Sequence, residues 1–251
     1  MTAVPETATP EVGKARTRKE DARLITGQTS WTDNLTLPGL AHVAFLRSPY
    51  AHARITRVDV SAAKNASGVI AAFSGADLAA EQGSLPCAWP VTEDIVLPDH
   101  PPMAVDTVRY GGEIVAAVVA RDRYAAADAL ESIDVDYEPL EPVLDMEAAL
   151  RPDSPKVHEA GNKSFTWLFE NGDLAAAFRD APIVLERTYR QQRLIPSAME
   201  PRSVVCAPVG DEYTMWSATQ IPHVLRVMLA LVTGIPEQNL RVIAPDVGGG
   251  F

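Results

Sequence analysis

Three short stretches within residues 195–251 carry the residue types most suited to chemistry. In "SATQIPHVLR", Gln220 falls where a strand pattern gives way to a helix beginning near Pro222. An amide there can donate a hydrogen bond to an oxyanion or a metal-bound oxo group near the positive end of the helix, or it can satisfy loop carbonyls. In "PDVGGGF" (245–251), Gly248, Gly249 and Gly250 let backbone N–H groups approach a ligand with no Cβ in the way, and Phe251 can wall the pocket. A flexible linker uses the same glycines, but the strand pattern "LRVIAP" just before them favours a positioned loop. In "IPSAMEPRS", Glu200 precedes a proline and a strand, within reach of an ion pair to Arg202.

Common catalytic signatures are missing. The sequence has no G-x-S-x-G, H-E-x-x-H, Walker loop or G-x-G-x-x-G. Its histidines, at 42, 52, 100, 158 and 223, form no pair at ligand spacing and read as structural. The only cysteines, Cys87 and Cys206, have no neighbouring ligand residues and are too few for an iron–sulfur cluster, so two buried thiols are expected. The sequence gives no metal ligands.

The elements that must position these residues follow from the pattern of apolar residues. Residues 1–22 mix charge, Pro and Thr and read as a flexible leader. "AHVAFLRS" and "ITRVDV" alternate as strands, "SAAKNA" reads as a helical turn and "GVIAAFSG" as an apolar strand after it. A Pro-rich irregular stretch follows from Leu85 to Pro102. "EIVAAVVA" is a continuous apolar run suited to a strand covered on both faces, and "RDRYAAADALESI" then "DVDYEPL" complete a strand–helix–strand crossover. The Pro/Gly-rich connector at 141–162 marks a boundary, giving a first unit over 23–144 and a second over 145–251. The second reads as a helix in "NGDLAAAFRDA", strands in "IVLERTYR", "SVVCAPV" and "YTMWSAT", a helix in "PHVLRVMLALVTG", and a last strand in "NLRVIAP". The first unit therefore looks α/β or α+β.

Composition narrows the function classes. With 47% hydrophobic and 22% charged residues, the 251-residue chain can bury a proper core. A net charge of -11 disfavours nucleic acid as a partner. No apolar run is long enough for a membrane span, and the N-terminus has no secretory h-region, so a cytoplasmic location is expected.

Taken in order, "TQIPH", a helix and "GIPEQNLRVIAPDVGGGF" resemble the molybdopterin-binding large subunit of the molybdenum hydroxylases, the family of xanthine dehydrogenase, aldehyde oxidase and aerobic carbon monoxide dehydrogenase. "RKEDARLITGQTSWTDNLTLPGLAHVAFLRSPYAHARITRVDVSAA" and "VRYGGEIVAAVVARDRYAAADALESIDVDYEPLEPVLD" independently resemble its opening α/β hammerhead domain. The wording of "MEPR" and "TQIPH" is nearest the bacterial carbon monoxide dehydrogenase-like branch. The resemblance implies that Gln220 hydrogen-bonds an oxo ligand of molybdenum. It implies that Gly249, Gly250 and Phe251 pack against the cofactor's dithiolene and metal, with Gly248 supporting the turn, and that Glu200 is an acid near the substrate pocket.

The implied cofactor is molybdenum-molybdopterin in its cytosine dinucleotide form. The implied reaction oxidises a small carbonyl, a heterocycle or carbon monoxide with water as oxygen source. Electrons would leave through [2Fe-2S] clusters on an iron–sulfur small subunit and FAD on a medium subunit, in keeping with the lack of cluster cysteines and of a dinucleotide fingerprint. In the family the general-base glutamate lies downstream of the glycine loop, so residues 145–251 correspond to the first part of the molybdopterin-binding domain, and activity is expected to need the C-terminal remainder of the large subunit. The rival expectation is a non-catalytic module that binds or assembles partner subunits.

Overall fold

A computed structural model describes residues 12–251; the first half of the leader expected over 1–22 lies outside the described residues. In chain order the elements are α1 (Asp21–Ile25), β1 (His42–Arg47), β2 (Ala53–Asp59), α2 (Ser61–Lys64), β3 (Val69–Ser74), β4 (Thr107–Val108), β5 (Ile114–Ala120), α3 (Arg123–Leu130) and β6 (Asp134–Pro139). After the connector come α4 (Leu174–Asp180), β7 (Val204–Val209), β8 (Glu212–Ser217), α5 (Pro222–Thr233) and β9 (Leu240–Ile243). The fold is α+β.

Two antiparallel sheets build the first unit, ordered β1-β5-β3 and β4-β2-β6. β5 is the central strand of the first, and its apolar run is explained by cover on both faces: Val115, Ala116, Val118 and Ala120 are fully buried. Its alanines, with Ala63 of α2 and Ala126 and Ala129 of α3, let the helices sit close to the sheet. Asp122 starts α3 by accepting a 2.8 Å hydrogen bond from the Ala125 N–H. Leu46 and Val135 touch both buried clusters, so the two sheets share one core.

The strand–helix–strand expectation for β5, α3 and β6 is corrected. β6 does not return beside β5 but pairs antiparallel with β2 in the other sheet. Both edges of β5 are already occupied, by β1 and β3, so no place is left for a parallel neighbour. The true crossover lies further on: β8 and β9 are parallel and are joined by α5, with β7 antiparallel on the far side of β8. α5 begins with Pro222 and stops at Gly234, whose φ of 71° supplies the left-handed cap.

A second correction concerns "IVLERTYR". Residues 183–190 form no regular element and belong to no sheet, and Ile183, Leu185 and Tyr189 are 77%, 77% and 90% exposed. A strand pattern yields a ladder only where a partner edge exists, and among the described residues none lies alongside. The thiols are corrected too: Cys87 and Cys206 are both exposed, the first in the Pro-rich stretch and the second on an uncovered face of β7. More generally, among the described residues every buried apolar side chain lies between Ala53 and Ile133 except Leu240. Among them no helix is long and apolar enough to cross a membrane.

Candidate cofactor-binding site

β8 and β9 are parallel neighbours, with Trp216 opposite Ile243, and the chain leaves both at the same end of the sheet. Beyond β8 it enters Ala218–Gln220 and the start of α5; beyond β9 it enters the glycine loop. The C-terminal ends of adjacent parallel strands are where α/β units place their ligand loops, because both loops open into one crevice beside a helix N-terminus. The crossover thus brings together Gln220 and Gly250, thirty residues apart.

The contact between them is close. The Gln220 Nε2 donates to the Gly250 carbonyl oxygen, and a Cβ at residue 250 would fall on the Gln220 amide. Gly249 has φ 144°, a conformation that L side chains rarely adopt, and a Cβ there would stand 2.8 Å from Ala198 Cβ and 3.1 Å from the Phe251 ring. The ring itself is 79% exposed.

Glu200 reaches the same loop from the other side. Its Oε2 accepts a 2.7 Å hydrogen bond from the Gly248 N–H, and its own N–H donates to the Gly248 carbonyl at 3.3 Å. Its Oε1 is buried and has no hydrogen-bond partner. Among the described residues no ion pair joins Glu200 to Arg202, so the carboxylate is committed to the loop. All six residues singled out in the sequence, Glu200, Gln220, Gly248, Gly249, Gly250 and Phe251, therefore meet at one place.

Sequence reasoning missed the anchor of that loop. Asp246 takes the Arg23 guanidinium in a bidentate pair at 2.5 and 2.6 Å, accepts the Ser30 N–H at 2.9 Å, and gives its own N–H to the Ser30 carbonyl at 3.0 Å. These partners lie more than two hundred residues apart, and an Arg and an Asp carry no mark of pairing at that separation. The guanidinium and the Ser30 N–H hold the Asp246 carboxyl at about 2, below its ordinary 3.8. Since the folded value is the lower one, the unfolded chain takes up the proton first. The anchor's stabilisation is whole above about pH 4 and is lost as pH falls towards 2. Acid titration of the Ser30 and Asp246 amide resonances is expected to show a step near pH 2, absent in Asp246→Asn. An unchanged titration in that variant would refute the anchor.

A hollow of about 740 Å³ is lined by none of those six residues. It is lined by Leu85, Cys87, His100, Arg109, Tyr110 and His158 among others. Burial, then the charges of Arg109 and nearby histidines, pushes the His158 imidazole below its ordinary value. Among the described residues no cluster of three or more His, Cys, Asp or Glu is arranged to hold a metal ion.

Comparison with known proteins assigns both units. The family described as aldehyde oxidase and xanthine dehydrogenase, a/b hammerhead domain, matches residues 26–141, and that described as molybdopterin cofactor-binding domain matches 157–251. The chain is 36% identical to the carbon monoxide dehydrogenase large chain of Afipia carboxidovorans, over 96% of this chain and 31% of that protein. It is 35% identical to the nicotine 6-hydroxylase large subunit of Paenarthrobacter nicotinovorans, over 96% and 30% respectively. Among solved structures, quinoline 2-oxidoreductase from Pseudomonas putida 86 superposes with a TM-score of 0.84 at 36% identity, over 95% of this chain and 31% of that one. The chain thus spans about 30% of the length of the relatives it matches. With a hammerhead domain joined to a molybdopterin cofactor-binding domain, the chain belongs to the aldehyde oxidase and xanthine dehydrogenase family, the molybdenum hydroxylases, and corresponds to the N-terminal part of their large subunit.

Proposed function

We propose that this chain holds a molybdenum-molybdopterin cofactor, in its cytosine dinucleotide form, against the loop 248–251 and Gln220, as part of a cytoplasmic hydroxylase. The observation that carries this reading is the meeting of Gln220 with a glycine cradle too close for any Cβ, beside a buried Glu200 oxygen that lacks a donor. Such a cradle and such an orphan acceptor suit a large polar ligand bearing both donors and acceptors. The units we assign are a hammerhead domain over 23–144 and the first part of the cofactor-binding domain over 145–251.

When bound, the cofactor supplies two-electron oxidation of a small carbonyl, a heterocycle or carbon monoxide, with water as the oxygen source. The residues of this chain bind and orient. Gly249 and Gly250 present backbone with no side chain in the way, and Phe251 walls the open side. Gln220 holds one Nε2 N–H on the Gly250 carbonyl, and its second N–H is the donor it would offer a bound ligand. Glu200 fixes the loop through Oε2 and keeps the buried Oε1 as an acceptor that a bound ligand or substrate would satisfy. The acid–base step belongs to the further length found in the relatives, and electron exit to an iron–sulfur small subunit with [2Fe-2S] clusters and a medium subunit with FAD.

Co-expression with the polypeptide that supplies that further length should yield a complex containing molybdenum and pterin. A complex that forms without either would leave the rival reading, a module that only assembles partner subunits. Failure to form any complex would overturn both.

A further inference from the structure

We infer that residues 183–195 are a β-strand completed by another stretch of polypeptide, an apolar strand with acidic side chains from the part of the relatives' length this chain does not span. The inference rests on the proposed membership of a larger subunit and names the surface that membership uses.

Three observations converge on the segment. Its composition, "IVLERTYRQQRLI", is rich in β-branched and aromatic residues, free of Pro and Gly, and bounded by Pro182 and Pro196. It belongs to no helix, turn or sheet, and among the described residues no N–H or C=O between Pro182 and Met199 makes a hydrogen bond to another backbone group. Its apolar side chains are in water: Ile183, Val184, Leu185, Tyr189, Leu194 and Ile195 range from 53% to 90% exposed. A free run of this kind is an aggregation hazard that natural proteins keep covered.

What covers it is indicated by length and charge. The chain spans only 31% of the carbon monoxide dehydrogenase large chain it matches, so relatives carry polypeptide enough to supply the missing layer. The unit that holds the segment buries only Leu240, which a unit folding by itself would not do. In a chain of net charge -11 the segment is locally basic, with Arg187, Arg190 and Arg193 against Glu186. Arg190 already approaches Asp145 at 3.6 Å, and Arg187 and Arg193 are left for acidic side chains on a facing strand.

Hydrogen–deuterium exchange tests the inference without any cofactor. The probe is the unmatched remainder of the Afipia carboxidovorans large chain, added to the 251-residue protein in pterin-free buffer. Amides at 183–195 should exchange freely in the chain alone and slow by at least ~100-fold in the complex, the protection of a paired strand. Leu185→Pro removes a ladder donor and should weaken association by at least ~10-fold, with the hammerhead unit melting as before because Leu185 touches none of its core. A complex in which 183–195 exchange as freely as before, no association, or a Leu185→Pro protein that binds like the parent would each overturn the inference. Molybdenum retention is scored in the separate co-expressed complex: metal and pterin bound there with 183–195 unprotected here sinks the strand alone, and protection here with neither bound there sinks the cofactor reading alone.

Discussion

Gly250→Val is expected to leave the sheets intact and to strip the assembled enzyme of its cofactor. A Cβ at this position already falls on the Gln220 amide, and valine adds two methyl groups beyond it. Swinging the Gln220 side chain away would leave the valine methyls filling the cradle itself, while moving the loop instead breaks its two hydrogen bonds to Glu200. Overpacking of this kind costs about 1–3 kcal/mol, so molybdenum per polypeptide should fall by at least ~5-fold. Metal analysis of the purified variant decides the matter, with a far-ultraviolet melt to show that the fold survives. Normal molybdenum content would remove residues 248–251 from the cofactor's surroundings.

Gln220→Ala should do the reverse, keeping the metal and losing the rate. The exposed side chain lies just beyond β8 and is half of a contact with the glycine loop, not part of any core, so its truncation leaves no buried cavity. What is lost is one preorganised N–H donor, and turnover should drop by at least ~10-fold, with losses of ~100-fold or more seen where such a donor faces developing charge. Gln220→Glu should lose about as much, because it keeps the shape but not the donor. Full turnover in either variant, with metal retained, would make Gln220 only a support for the Gly250 carbonyl.

Local signals carried much of this molecule. Alternation along β1 reappears as alternating burial, and the uninterrupted apolar run of β5 reappears as a strand covered on both faces. Pro222 and Gly234 bound α5 as their backbone preferences require. Relations between distant segments did not show. The sequence around α3 promised a parallel return that the occupied edges of β5 forbid, and the two-residue β4 is too short to have a period. At the site, the glycines and Gln220 stand out because their residue types are unusual at a strand end. Glu200 suggested its near neighbour Arg202 but serves Gly248, and Arg23 with Asp246 had no reason to be linked until the chain was folded.

The uneven placement of buried side chains also sets an order of events during synthesis. The ribosome delivers Ala53–Ile133, with nearly all the core, before any of β7, β8 or β9 exists. At roughly 5–20 residues per second, the hammerhead unit has several seconds to close before the glycine loop emerges. The later unit then appears tethered to a finished scaffold, with Arg23 and Ser30 already waiting for Asp246. Until its covering layer arrives it remains an open half, and during that interval the nascent protein most needs a chaperone.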